Sequence, residues 1–273
     1  MMDTINRESY GAAADQLAAF AASADVQRIG AVGEDILAVA GLLERERRLR
    51  RALADPGRSG DDHAALLRSV LSGKVSAEAV DILATLVTGR WSGPGALLDG
   101  VELLGVTALL SGVDRAGNLG DVEDELFRFG QVVSGDSSLA GALADTTSPL
   151  PARVQLIQDL LGGKAEPATV RLAELAAGGF GGRSFESSLT RLIELAAKQR
   201  DHSVAYVTTA VPLTEADEQR LAGRLAELYG REVSLKIDVD PRILGGVRVK
   251  VGPDLYDGTV SRRLAEAKTA LAN

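Results

Sequence analysis

The glycine-rich stretch GGFGGR, residues 178–183, is the segment that most resembles a phosphate-binding loop. A Walker loop ends in Gly-Lys-Ser/Thr, and a dinucleotide-binding loop follows a strand and opens a helix. The residues before 178 have helical periodicity, so neither requirement is met. The stretch is therefore predicted to be a flexible turn between helices. The SGK of residues 72–74 and the GGK of residues 162–164 also lack an upstream glycine and strand, and they are predicted to be helix ends.

His63 and His202 are the only histidines, and they are far apart in the sequence. A metal site or a catalytic triad would need further ligands or a Gly-x-Ser-x-Gly serine beside them, and no such pattern occurs. His63 follows Asp61 and Asp62 at a predicted helix start, so we expect it to be solvated, and we expect His202 at the surface. The chain has no cysteine, which excludes disulfides, thiolate catalysis and cysteine-ligated zinc. We therefore expect no cofactor and no metal.

Two groups of acidic residues could in principle perform acid–base chemistry. Glu215, Asp217 and Glu218 fall in the first turn of a predicted helix, where the helix dipole favours negative charge. Asp238 is predicted on the outward face of a strand, and Asp240 precedes a proline, where its side chain can bond its own turn. Both groups are interpreted as structural, so the sequence contains no recognisable catalytic site.

The composition limits the class of protein. The chain has 273 residues and 28.5 kDa, 45% of its residues are hydrophobic, and its net charge is −8. This hydrophobic content supports a real core, and the acidic balance disfavours nucleic acid as a partner. There is no signal-peptide pattern at the N-terminus and no uninterrupted apolar run of about 18 residues. We expect a soluble, cytoplasmic chain.

Residues 1 to about 200 are predicted to be helical. Ser9 is a candidate cap for the first helix, and a second, longer helix is predicted from about Ile36 to Leu53. The run ERERRLRR, residues 44–51, is interpreted as the solvated face of that helix, with a binding patch as the alternative. Later helices are predicted at residues 62–71, 77–88 and about 94–111.

The helical part repeats itself at a spacing of 90 residues. The ALAD of residues 52–55 returns at 142–145, and the VLSGK of residues 70–74 returns as LLGGK at 160–164. Apolar positions between these blocks agree on the same offset without gaps. The period exceeds that of common solenoid repeats, so we predict the duplication of a small multi-helix unit.

The pattern changes at His202 to that of a small α/β unit. Residues 203–211 are β-branched, and Thr214 opens a helix with Asp217 as a capping acid. The alternating runs at 235–239 and 247–251 are interpreted as a β-ribbon around a Pro-Arg-Ile-Leu-Gly-Gly corner, and a final helix is predicted at 259–271. The predicted fold is mainly α, with helical bundles followed by a β-α-β-β-α unit. The predicted domains are 1–112 and 113–201, both helical, and 202–273, which is α/β.

The tail resembles a known family. The segments VAYVTTAVPL (204–213), YGREV (229–233) and VDPRILGGVRVKVGPDLYDGTVSRRL (239–264) resemble the delta subunit of bacterial ATP synthase, whose mitochondrial equivalent is the oligomycin-sensitivity-conferring protein. The family shows a strand ending in Ala-x-Pro-Leu, a helix, a Gly-x-x-Val step and a Val-Asp-Pro-x-x-x-Gly-Gly corner in this order. The second helical copy resembles the family's N-terminal bundle. The extra copy makes the chain similar to the extended delta subunits of actinobacteria.

The resemblance implies a non-catalytic stator subunit of the rotary ATP synthase, peripheral on the cytoplasmic face of the membrane. Its helical part would clasp N-terminal helices of the alpha subunits, and its α/β part would grip the C-terminal helices of the b subunit. The alternative is a helical-repeat scaffold or regulatory protein with a borrowed α/β tail. The residues expected to build the corner and dock the stalk are Asp240, Pro241, Ile243, Gly245, Gly246, Val249, Gly252, Asp257 and Gly258.

Overall fold

The computed structural model describes residues 4–229, 233–240, 242–251 and 254–259. The helices of this part are α1 Thr4–Ser23, α2 Val26–Arg45, α3 Arg47–Leu53, α4 Gly60–Leu71, α5 Ala77–Thr88, α6 Pro94–Arg115, α7 Leu119–Gly135, α8 Ser137–Ala144, α9 Leu150–Leu161, α10 Pro167–Gly178, α11 Phe185–Ser203 and α12 Glu215–Tyr229. The strands are β1 Val204–Thr209, β2 Ser234–Val239, β3 Val247–Val251 and β4 Asp254–Asp257. The chain divides into two units between Ala196 and Ala197, one helical and one α/β. The prediction of a mainly α fold with a small α/β part is confirmed.

The 90-residue repeat of the sequence is also a repeat of structure. The bounds of α4 and α5 reappear residue for residue, 90 positions later, as those of α9 and α10. Gly73 and Gly163, which follow α4 and α9, have φ angles of 71° and 69°. The helices predicted at 77–88 and at about 94–111 are observed at 77–88 and 94–115.

Equivalent side chains also make equivalent bonds in the two copies. Asp35 on α2 accepts a hydrogen bond from the backbone N–H of Ser76, which precedes α5, at 2.8 Å. Ninety residues later, Glu125 on α7 accepts one from the N–H of Glu166, which precedes α10, at 2.9 Å. Both carboxylates satisfy a donor at a helix N-terminus, where negative charge is favoured. The duplicated unit therefore keeps its polar connections as well as its core.

Helix α6 belongs to both copies, because it lies 90 residues after α1 and 90 residues before α11. Leu97, Val101 and Leu104 pack into the core of the first copy, whereas Val106 and Leu109 pack into the core of the second. Among the described residues α6 is the one helix long and apolar enough to cross a membrane, but more than half of it is buried between these two cores. The boundary predicted at 112–113 falls inside α6, and the three-domain division stays a prediction.

Two predictions about the first helices are wrong. Ser9 lies inside α1 rather than at its cap, and its buried hydroxyl donates to the backbone oxygen of Arg90. The long second helix is two helices, because Glu46 has φ −94° and ψ 70° and interrupts the helical path. The residues on either side of Glu46 are good helix formers, so their periodicity does not reveal the break.

The α/β unit is a four-stranded sheet in the order β2-β1-β3-β4. Strand β1 pairs in parallel with β2 and antiparallel with β3, so the predicted β-ribbon of residues 235–239 and 247–251 is wrong. Both runs alternate with period two, but that pattern does not specify which strand is the neighbour. Helix α12 provides the crossover between β1 and β2 that a parallel pair requires. Strand β4 was not predicted, and the final helix predicted at 259–271 lies beyond residue 259, outside the described residues.

Candidate functional site

The predicted site is the connection from β2 to β3, and Asp240 organises its start. Its backbone N–H donates to the oxygen of Thr209 at 2.8 Å, which continues the parallel pairing one residue beyond β2. Its carboxylate accepts from the backbone N–H of Arg242 at 3.0 Å and from the guanidinium of the same arginine at 2.9 and 3.0 Å. The Arg242 side chain holds the pKa of Asp240 below its ordinary value. As predicted, Asp240 bonds its own turn, and it is a poor general acid or base.

The glycines of the corner are required by the backbone. Gly245 and Gly246 have φ angles of 128° and 88°, in the region that favours glycine. A Cβ on Gly246 would lie 2.4 Å from the backbone oxygen of Gly258 and 2.9 Å from Cα of Thr259. The N–H of Gly258 donates to the oxygen of Val247 at 2.9 Å. The structure thus brings Gly246 and Gly258 together as one close backbone contact.

The remaining predicted residues divide between core and surface. Asp257 accepts from the backbone N–H of Thr259 at 3.0 Å and from Arg248 at 3.4 Å, and these bonds lower its pKa. Val249 is buried opposite Val207 of β1, so it belongs to the core rather than to a docking surface. Ile243 is half-buried. Pro241 and Gly252 lie outside the described residues.

Three exposed apolar side chains of the α/β unit were not predicted from the sequence. Leu244 is 75% exposed and Leu255 57% exposed, and Tyr256 on β4 is 44% exposed. Tyr229 at the end of α12 donates to Asp254 at 3.0 Å and holds the helix against β4. Leu255 and Tyr256 are consecutive in β4 and point to opposite faces of the sheet, so they do not form a single apolar patch. Their signal in the sequence is weak, because an isolated leucine in a turn does not reveal its exposure.

The glycine stretch at 178–183 is a turn between helices, as predicted. Gly179 ends α10 in a left-handed conformation, and a short 3-10 turn, Phe180–Gly182, leads to α11. The N–H of Gly181 donates to the Glu102 carboxylate of α6 at 2.7 Å. Burial raises the pKa of Glu102 to about 7. The donor that a phosphate would need at this position is therefore used by a carboxylate from within the chain.

The expectation that His63 is solvated is wrong. His63 is 6% exposed, and its Nδ1 lies 3.2 Å from the oxygen of Val87 near the end of α5. The equivalent residue of the second copy is Arg153, whose Nη1 donates to the oxygen of Ala177 at 2.6 Å. His63 faces α5 because α4 begins at Gly60, which places this side chain on the packed face of the first turn. Of His202, only its place in α11 is described.

In the described ranges no three His, Asp or Glu side chains are grouped to hold a metal ion. The polar residues of the corner form backbone-ordering bonds, and its exposed side chains include the charged Arg242 and the apolar Leu244. Such a surface can contact another protein.

The comparison with known families identifies the chain. The family model described as "ATP synthase delta (OSCP) subunit" matches residues 106–271, which is more than half of the sequence. The chain belongs to the ATP synthase delta subunit family. The match begins inside α6, so it covers the second helical copy and the α/β unit and leaves the first copy outside.

Relatives within the delta subunit family also contain the first copy. An ATP synthase subunit delta of Salinispora arenicola is 59% identical over 272 residues, covering 100% of this chain and 99% of the relative. One from Streptomyces griseus is 44% identical over 271 residues, covering 99% of this chain and 100% of the relative. The predicted similarity to extended actinobacterial delta subunits is confirmed. A solved Toxoplasma gondii mitochondrial ATP synthase chain is 16% identical with a TM-score of 0.34, covering 78% of this chain and 97% of that chain, a similarity too weak to support an argument.

Proposed function

We propose that this delta subunit is a non-catalytic stator of the ATP synthase, which links the catalytic head to the b-subunit stalk and resists rotor torque. The observation that carries the proposal is the family match, which extends without interruption from the second helical copy through the Gly-Gly corner. The complex is membrane-bound, and the subunit would be peripheral on its cytoplasmic face. The bonds of Asp240 and Asp257 within the corner support a structural rather than a chemical role.

The helical unit is packed closely enough to transmit mechanical force. Helices α2 and α6 approach so closely that a Cβ on Gly105 would lie 2.7 Å from Cγ of Leu37. The same α6 completes the second core, so the two copies share a continuous helix rather than a flexible linker. Close-packed interiors have low compressibility and transmit strain. The helical unit can therefore pass force from one copy to the other with little deformation.

An apolar groove in the helical unit is the proposed site for an alpha-subunit N-terminal helix. It has a volume of about 340 Å³ and lies where α2, α6 and α10 meet, lined by Val26, Leu109, Val113 and Ala168 among others. Arg171 and Glu34 form an ion pair at 2.9 Å among the lining residues. An amphipathic helix binds such a groove through its apolar face, while charges at the rim select its polar neighbours. The exposed Leu244 of the corner is the proposed contact for the b subunit.

Calorimetry with two synthetic peptides tests this function on the full chain. The peptides are the N-terminal segment of the alpha subunit and the C-terminal segment of the b subunit from the same organism. Gly30 lines the groove, and a Cβ added there meets nothing within 4 Å, so Gly30→Leu is expected to direct its side chain into the groove. We expect Gly30→Leu to abolish binding of the alpha peptide and leave the b peptide unaffected.

The matched control is Gly141→Leu on α8, which also meets open space and lies away from the groove. It should bind both peptides as the unchanged chain does. Leu244→Asp should weaken only the b peptide. Failure of both peptides to bind the unchanged chain would refute the stator function. The helical-repeat scaffold alternative would then be favoured by the duplication and by a lack of co-purification with the membrane ATPase.

A further inference from the structure

Five arginines of the first copy form a positively charged surface that makes no ion pair with any residue the structure describes. The surface comprises Arg45, Arg47, Arg48, Arg50 and Arg51 and is called the α3 arginine patch. All are exposed except the half-buried Arg50. The ion pairs of the described residues include none of these five. The arginines are therefore free to meet a charge from outside.

The second copy shows that the fold does not need these arginines. Residues 137–141, the counterparts of 47–51, read Ser-Ser-Leu-Ala-Gly and form the start of α8 at the same place in the repeat. The leucines shared by both segments keep the same burial, since Leu53 and Leu143 are both fully buried. The two copies thus share the buried side of this helix and differ in the charge of its exposed side.

The charges also oppose the local electrostatics of the helix. Arg47 and Arg48 occupy the first turn of α3, where the helix dipole disfavours cations, and Glu46 before them makes no side-chain cap bond. In the second copy, Asp136 precedes α8 and accepts from the backbone N–H groups of Ser138 and Leu139. The second copy therefore has the arrangement that stabilises a helix start, whereas the first copy lacks it and carries positive charge in the first turn.

A cleft next to the patch also differs between the two copies. It has a volume of about 520 Å³, and its lining includes Arg51, Arg58, Trp91 and Pro94. Trp91, the only tryptophan, corresponds to Gly181 in the second copy, and Arg58 corresponds to Ser148. Arg58 reaches Asp55 only at 3.8 Å with both side chains about half exposed, so this pair is weak. The cleft adds an aromatic wall beside the patch, and its lining contains Asp55 as well as Arg58.

We propose that the α3 arginine patch and its cleft dock an acidic helical segment of a neighbouring protein in the assembled ATP synthase. Arg47 and Arg51 are four residues apart, so carboxylates spaced by one helical turn can pair with them, and arginine binds carboxylates through two parallel bonds. A bilayer surface is disfavoured because the chain carries a net charge of −8 and no large apolar side chain on α3 is exposed to insert into lipid. The same net charge disfavours a second copy of this chain.

Photo-crosslinking in the assembled complex tests the proposal. A photoreactive amino acid replaces the exposed Glu46, which borders the patch, and the crosslinked peptide is identified by mass spectrometry. The matched control carries it at Ser137, the same region of the second copy. We expect Glu46 to capture a protein peptide rich in Asp and Glu, and Ser137 not to capture that peptide.

A second variant separates docking from folding. Arg47→Ser/Arg48→Ser/Arg51→Ala removes three of the five positive charges and gives positions 47 and 48 the residues of the second copy, so it should unfold at the same urea concentration as the unchanged chain or higher. Its crosslink yield from position 46 should fall at least about fivefold, since several weak charge pairs are lost together. An unchanged yield, or a captured peptide without acidic excess, overturns the proposal. Capture of lipid in place of a protein peptide also overturns the proposal. The same holds if the subunit sediments with phosphatidylglycerol–phosphatidylcholine vesicles through the patch and no protein crosslink forms.

Discussion

Gly246 and Gly258 are in close backbone contact, with the position of a Cβ on Gly246 only 2.4 Å from the oxygen of Gly258. This contact joins the corner after β2 to the residue after β4, so β3 and β4 both lie between the two glycines in the sequence. Position 246 requires glycine for two reasons. Its φ of 88° favours a residue without a Cβ, and a Cβ there would collide with the backbone of Gly258.

Replacing Gly246 by valine should open the α/β unit. Strain at positive φ and a backbone clash act together, and we expect a loss of about 3 kcal/mol or more of local stability. Hydrogen exchange of peptides from β1 and β3 measures this loss without assuming that both units unfold together. Gly163→Ala is the control, since its φ is 69° but its Cβ meets open space. It should cost only about 1 kcal/mol in the helical unit, and an equal effect of the two changes would contradict the close contact.

The carboxylates that bind the starts of α5 and α10 should differ in strength. Asp35 accepts one bond, from Ser76, whereas Glu125 accepts from Glu166 and also from the hydroxyl of Thr169 at 2.6 Å. We expect Asp35→Ala to cost about 1 kcal/mol and Glu125→Ala about 2 kcal/mol. Urea unfolding of the helical unit, followed by circular dichroism, measures both. The exposed Asp121→Ala is the control, and a larger loss at Asp35 than at Glu125 would oppose this prediction.

Glu102 should make the helical unit less stable as pH rises. Its pKa in the folded chain is about 7, against an ordinary value of 4.5, because burial disfavours the charged form. The carboxyls of Asp99 and Glu44 reinforce this shift, while the Gly181 N–H and Arg183 oppose it. The folded state therefore binds more protons than the unfolded state between about pH 4.5 and 7, and stability falls through that window.

Glu102→Gln keeps an oxygen acceptor for Gly181 and removes the titration. The free energy of unfolding of the unchanged chain minus that of the variant should fall by about 2 kcal/mol from pH 5 to pH 8. Urea unfolding followed by Trp91 fluorescence at several pH values gives this difference. A difference independent of pH would show that Glu102 does not titrate in this window.

The residue pair His63 and Arg153 should be partly interchangeable. Each lies against a carbonyl near the end of the helix that follows, Val87 or Ala177. Arg153→His retains a donor and should cost less than about 1 kcal/mol, whereas Arg153→Ala leaves the carbonyl unpaired and should cost about 2 kcal/mol. Thermal unfolding of the two variants compares them directly. Equal losses would mean that the bond to Ala177 contributes little.

Much of the helical unit could be predicted because its signals are local. Apolar spacing and the glycines after each helix located α5 and most of α6, and the 90-residue repeat was visible as separated blocks on one offset. The break at Glu46 could not be predicted because charged helix formers continue on both sides of it. The burial of His63 could not be predicted because it depends on packing against α5, and the residues next to His63 in the sequence do not specify that contact.

The sequence by itself determined the helix periods, the duplication, the glycine corner and the family, because each of these is encoded in the order and spacing of neighbouring residues. The tertiary structure alone decided that α6 serves both cores, that β1 separates β2 from β3, and that Gly246 touches Gly258. These are contacts between segments that are distant in the sequence. Alternation or helical periodicity indicates that one face of an element is buried, but it does not indicate which other element covers that face. That the α3 arginine patch makes no ion pair among the described residues was also visible only in the structure, because pairing depends on which side chains come within reach of one another.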